Sequence, residues 1–171
     1  MFWRKERNMR PIKFRGKDSQ SGEWFYGNLF VKDDRGRTHI STPERGCFRI
    51  NPDTIGQFTG ITDEEGQEVF EGDILEADYK YDIITANGGV DPDNDCLCYG
   101  VVEFDNDSLQ WALNVYKAES HIWEYLKEEN CSHIPLCIFG HEYGYDNPNV
   151  KVIGNRYDDP ELLELLKDDQ Q

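Results

Sequence analysis

No run of about eighteen apolar residues occurs in the 171-residue sequence, so nothing in it reads as a membrane-crossing helix. The first eight residues, Met-Phe-Trp-Arg-Lys-Glu-Arg-Asn, lack the apolar centre of a secretory signal and read as a disordered extension or upstream start before Met9. A cytoplasmic location is the expectation. Five cysteines, an odd number without secretory context, argue against a disulfide framework and read as reduced thiols. Nucleotide-binding fingerprints are missing too, since Gly88-Gly89 is followed by neither Lys nor Ser/Thr and does not join a strand to a helix. His39, His121, His133 and His141 have no Gly-x-Ser-x-Gly elbow to serve.

Basic residues are scarce: 18 Lys and Arg stand against 34 Asp and Glu, a net charge of −16. The imbalance is uneven. Residues 1–17 carry +6, the tail from Tyr157 carries −5, and residues 18–156 therefore hold −17. A body that negative repels phosphate backbones, so direct nucleic-acid binding is not expected.

What is plentiful is aromatic and glycine content. With 13% aromatic residues the chain has enough apolar surface for an ordinary core, and a chain of about 150 residues buries roughly 68–70% of its unfolded surface. Helical periodicity is rare, which makes the fold mainly β with minor α. Short strands are expected at Ile12–Arg15, from Trp24 to Val31 with a break near Gly27, at Thr38–Ile40, and on both sides of Asn51-Pro52-Asp53. Asp73–Tyr79, Tyr99–Phe104 and Leu109–Tyr116 form a meander, and the Gly-Asp entry followed by Gly-Val-Val-x-Phe fits a small SH3-like or partly open β-barrel, its core about 54–116. A long loop spans Tyr81 to Tyr99. Ala118–Glu129 carries an interior helical pattern through Ile122, Tyr125 and Leu126. Asp159 as cap, Pro160 at the first helical position and the leucines that follow predict a short C-terminal helix, about 160–167. No repeat or linker interrupts 9–171, so a single domain is expected, with Trp24, Phe25, Phe58, Phe70, Val102, Phe104 and Trp111 in its core.

Gln57-Phe58-Thr59-Gly60-Ile61-Thr62-Asp63-Glu64-Glu65-Gly66-Gln67-Glu68-Val69-Phe70-Glu71-Gly72-Asp73-Ile74 resembles the signature segment of YopX-like proteins of bacteriophages and prophages. Met9–Arg15, Trp24–Leu29 and Val152–Leu163 match further motifs of that family in order, so the resemblance spans nearly the whole chain. It implies phage or prophage origin, a bacterial host cytoplasm and a mostly β fold. It implies no activity, because none is established for the family.

Two segments have the look of metal sites. Cys131-x-His133-x-x-x-Cys137-x-x-x-His141 offers thiolate and imidazole, the ligands zinc prefers, with Cys96-x-Cys98 as further candidates. The spacings depart from ordinary zinc patterns, and Ile134, Leu136, Ile138 and Phe139 suit a buried strand with inert cysteines. Asp91-Pro92-Asp93-Asn94-Asp95 copies the first three acidic positions of an EF-hand, but Cys96 replaces the turn glycine and Val102 the final glutamate, so it reads as an acidic solvated loop. Glu71-Gly72-Asp73 reads as a turn, with glycine at positive φ and Asp73 accepting from nearby amides; Gly154-Asn155 reads likewise. No catalytic residue, cofactor or bound metal is assigned.

The expected function is that of a non-enzymatic accessory module, self-associating as a homo-oligomer or binding a host or phage protein. One alternative is an acidic DNA mimic that occupies a host nucleic-acid-binding protein; another is a zinc-dependent hydrolase built on the Cys/His segment.

Overall fold

The computed structural model describes residues 11–30, 35–84, 87–118, 133–138 and 149–168. They are mainly β, in antiparallel sheets with one α-helix and no closed barrel among them. The chain divides into two compact units, residues 1–60 and 61–171. Two expected elements, the extension 1–8 and the helical pattern after Ala118, lie outside the described residues; Ala118 itself ends a strand.

In the first unit the strands are β1 (Phe14–Lys17), β2 (Trp24–Phe30), β3 (His39–Thr42), β4 (Gly46–Arg49) and β5 (Gly56–Thr62), ordered β4-β3-β2-β1-β5. Period-two alternation sends Phe14, Phe25, Leu29, Ile40 and Phe48 to one face, where they form a core with Ile50 and Ile55. Phe25 and Phe48 stack there with ring centroids 3.7 Å apart. β2 is not broken at Gly27. Instead it changes partner there, pairing with β1 over Trp24–Gly27 and with β3 over Asn28–Phe30. A Cβ on Gly27 would lie 2.1 Å from the Ser41 carbonyl oxygen, so the glycine permits the close approach of β3. Asn51 turns the chain between β4 and β5, its side chain accepting from the Asp53 N–H at 3.2 Å above a single 3-10 turn.

β5 carries the chain into the second unit, where β6 (Glu68–Phe70), β7 (Asp73–Ile84), β8 (Val90–Asp105), β9 (Gln110–Ala118), β10 (His133–Pro135), β11 (Val150–Asn155) and α1 (Pro160–Asp168) follow. The sheet order is β10-β9-β8-β7-β11, antiparallel throughout. The expected meander is present as β7, β8 and β9. Leu75, Ala77, Cys96, Cys98, Val102, Leu113, Val115 and Val150 pack on one face of this sheet with Val69, Ile134 and Leu136. On the other face Ile74 and Val101 meet Leu162, Leu163 and Leu166 of α1.

Other expectations are corrected as well. The span from Tyr81 to Tyr99 is not a long loop: β7 and β8 continue as a ribbon to Ile84 and Val90. A register shift between Tyr81 and Ile83 sets Pro92 and Asp93 against a single residue, Asp82. Such a bulge is where a strand tolerates a proline that cannot donate to the ladder. The acidic segment 91–95 is therefore strand. Phe104, expected in the core, is 40% exposed and meets Trp111 edge-on, because the alternation that buries Val102 ends at the rim of the sheet. Among the described residues no helix is long and apolar enough to cross a membrane.

The two leucines Leu113 and Leu165 separate core from surface. Leu113 is 0% exposed, and Leu113→Ala is expected to lose about 2–5 kcal/mol in urea melts. Leu165, 65% exposed on α1, should change by about 0.5 kcal/mol or less on the same substitution.

Candidate functional site

The two aspartates of the signature segment accept hydrogen bonds from the backbone. Asp63 is 1% exposed; its Oδ1 accepts from the Glu65 N–H at 3.0 Å and the Gln67 N–H at 2.7 Å, and its Oδ2 accepts from the Val152 N–H at 3.2 Å. One carboxylate thus closes the 63–67 turn and fixes it to β11. Asp73, equally buried, accepts from the Phe70 N–H at 2.7 Å and closes the turn between β6 and β7. At the centre of that turn Gly72 has φ +85°, donates to the Val102 carbonyl and accepts from the Arg156 N–H, both at 2.9 Å.

That last bond joins two motifs that lie far apart in sequence. β11 pairs Asn155 with Asp73, so Glu71-Gly72-Asp73 and Gly154–Asp159 form one corner. Asn155 Oδ1 accepts from the Tyr157 and Asp158 N–H groups at 3.0 Å each, shaping the exit from β11. Asp159 does not cap α1 with its side chain as expected. Its Oδ2 accepts from the Asn155 N–H at 2.9 Å, while its backbone carbonyl takes the first helical bonds from Leu162 and Leu163. The carboxylate tightens the corner, and Pro160, having no N–H, needs no partner at the helix start.

Beside this corner lies a polar cluster. Arg156 Nη2 donates to Glu103 Oε1, and Asn114 Nδ2 donates to Glu103 Oε2 at 3.0 Å. His133 Nε2 stands 3.8 Å from the same Oε2, and Tyr116 OH is 3.5 Å from Asn114 Nδ2. Lys167 lies over the Tyr116 ring at 5.6 Å. β8, β9, β10 and the start of the C-terminal corner each contribute a member. Burial raises the Glu103 pKa, but the Arg156 and Asn114 hydrogen bonds, with the charges of Arg156 and His133, outweigh it and hold the carboxyl below its ordinary value of 4.5. Burial, and then the charge on Glu103, push the Tyr116 phenol up. Arg156 Nε is buried with no acceptor among the described residues. Such a cluster orients an acid, an amide and a phenol on one half-exposed surface; its bonds join the strands of the sheet to the C-terminal corner.

The Cys/His candidates do not assemble. Cys131 and His141 lie outside the described residues. Cys137 is exposed, its Sγ 3.9 Å from Gln110 Oε1. Cys96 and Cys98 are 3% and 0% exposed in the apolar cluster that also holds Ile134. Because β10 alternates, His133 points to the opposite face, toward Glu103. Cys96 and Cys98 are therefore core residues, not partners of His133. Among the described residues no three His, Cys, Asp or Glu side chains are grouped to hold a metal ion. The backbone of 91–95 is extended in β8, not wound as an EF-hand loop.

Sequence reasoning missed the Glu103–Arg156 pair. Arg156 stood inside a recognised motif, and Glu103 at the one polar position of Gly-Val-Val-Glu-Phe; only the register of β8 and β11 about β7 connects them. Against known proteins, a family model described as YopX protein matches residues 13–164. No curated protein matches.

Two glycines in positive-φ turns distinguish backbone strain from contact. Gly66 has φ +84° with nothing within 4 Å of an added Cβ, whereas at Gly72 that Cβ would lie 2.9 Å from Tyr157 Cε2. Gly66→Ala is expected to lose about 1 kcal/mol and Gly72→Ala about 2–3 kcal/mol, read as Tm shifts. Glu103, with its lowered folded pKa, contributes stability that is fully present above the unfolded value of 4.5 and is lost as pH falls through the folded one. Glu103→Gln should therefore be less stable than the parent by about 1–2 kcal/mol at neutral pH, and the two denaturation midpoints should converge as the pH is taken below 4.5.

Proposed function

The chain belongs to the YopX protein family, and from that premise we propose that it is a phage or prophage accessory protein whose second unit is a binding surface for a basic protein, not an active centre. One observation carries the reading: residues 61–171 hold six basic and twenty-seven acidic residues, a net −21. A field of that sign accelerates encounter with a cationic partner and repels nucleic acid. The buried Asp63 and Asp73 and the half-buried Asp159 support the reading from the other side, since each accepts hydrogen bonds from backbone amides. The meander of β7, β8 and β9 is the part we read as the SH3-like element, its half-exposed Glu103 face turned to the partner.

The DNA-mimic form of this proposal makes the partner a host nucleic-acid-binding protein; the same −21 favours it. Self-association is the other form, and β4 supplies a largely exposed edge for it in the first unit. Immobilised full-length protein is expected to capture a basic protein from host lysate, with release by salt from about 50 to 300 mM and by duplex DNA. A single monomeric species by light scattering, together with capture unaffected by salt and DNA, would overturn the proposal. Release by salt but not by DNA would retain the basic partner and remove the mimic.

A further inference from the structure

We propose that the first unit carries a binding face for single-stranded nucleic acid. Its charge is opposite to that of the second: residues 1–60 hold twelve basic and seven acidic residues, a net +5, of which +3 falls on the described residues 11–30 and 35–60. The cations are not scattered. A cleft of about 720 Å³ is lined by Lys17, Arg35, Arg37 and Arg49, with Asp18 the one acid among the described residues that line it. Asp18 Oδ1 already accepts from the Gln20 and Ser21 N–H groups at 2.9 and 2.8 Å, so it serves the turn between β1 and β2.

A second depression, about 240 Å³, is walled by Trp24, Phe25 and Tyr26 with Pro43, Glu44 and Arg45 at its rim. Strand register links the two. β1 and β2 pair Lys17 with Trp24 and Arg15 with Tyr26, so alternate residues put cations and aromatic rings on one face. Arg15 is buried against the Trp24 ring, and Lys13 and Lys17 are the cations beside the rings that a phosphate would meet. Lys17, which lines the cleft, has its Nζ 5.3 Å from the centre of the Trp24 ring, which lines the notch. Tyr26 is 42% exposed with Lys13 5.6 Å from its ring. A cationic track beside aromatic rings matches a chain that alternates phosphate with a planar base. An acidic peptide would satisfy the cleft and leave the aromatic notch unused; a duplex would keep its bases stacked away from Tyr26 and Trp24.

The test is fluorescence anisotropy of a labelled oligo-dT of about fifteen nucleotides with the full chain, from about 50 to 200 mM salt. Binding is expected, with log affinity falling by about 0.7 per engaged phosphate for each tenfold rise in salt. Arg49→Glu, an exposed position, should weaken it about tenfold or more and flatten the salt slope. Tyr26→Ala should weaken it about tenfold with little change in slope, because stacking is lost and charge is not. Unaltered circular dichroism and melting of both variants confirm that the fold is kept, and Trp24→Ala is measured alongside. No anisotropy change at the lowest salt overturns the proposal, as does binding that neither variant weakens. Equal or tighter binding of the matching duplex overturns it too. Loss in Arg49→Glu with Tyr26→Ala unaffected overturns it in favour of a general polyanion surface, and polyglutamate should then compete as well as oligo-dT.

Discussion

Asp63 places an ionisable carboxyl where almost no solvent reaches, and the second unit is organised around satisfying it. Three backbone amides from two places in the chain, Glu65 and Gln67 in its own turn and Val152 on β11, converge on its two oxygens. Leaving those amides unpaired in a buried position would cost about 1–3 kcal/mol each, so the turn and the edge strand are each held by the other. The same device recurs at Asp73 and Asp159, which hold the next two bends. Bends of fixed geometry fix register: β11 meets β7 with Asn155 against Asp73, and that pairing brings Arg156 beside Glu103. A hairpin signature at 57–75 and a turn at 154–159 thus become one corner of one sheet.

Much of this was legible in the residues. Turn chemistry marked Gly66, Gly72 and Asp73, and all three sit in turns because glycine tolerates positive φ and aspartate accepts from nearby amides. The C-terminal helix was legible from Pro160 and its leucines, since a proline at the first turn and an apolar stripe are local signals. Local signals could not give that 91–95 is strand. Asp, Asn and Pro spell a loop by propensity, and only pairing with β7 overrides it. The Cys/His segment misled for the opposite reason. Spacing in sequence says nothing of which face of a sheet a side chain takes, and alternation sends Ile134 to the face of Cys96 and Cys98 and His133 to the other.

Charge was the least legible feature because it was averaged over the wrong interval. Counting residues 18–156 together gives −17 and hides a boundary at Gly60, since residues 18–60 are nearly balanced at −1 and residues 61–156 carry −16. A partner does not respond to such a sum. At 0.1 M salt the screening length is about 10 Å, so a phosphate approaching Lys17, Arg37 and Arg49 interacts chiefly with the charges around that cleft. The net −16 of the chain bears on solubility and long-range repulsion at low salt, and hence on association rate. Affinity at a docked surface depends instead on which side chains the strands bring together. Alternation along β1 and β2 assembles cations with aromatic rings; the crossing of β8, β9 and the β11 exit assembles Glu103, Asn114 and Arg156. Overall charge therefore weighs against nucleic acid at the second unit, at −21, and has no force at the first, at +5.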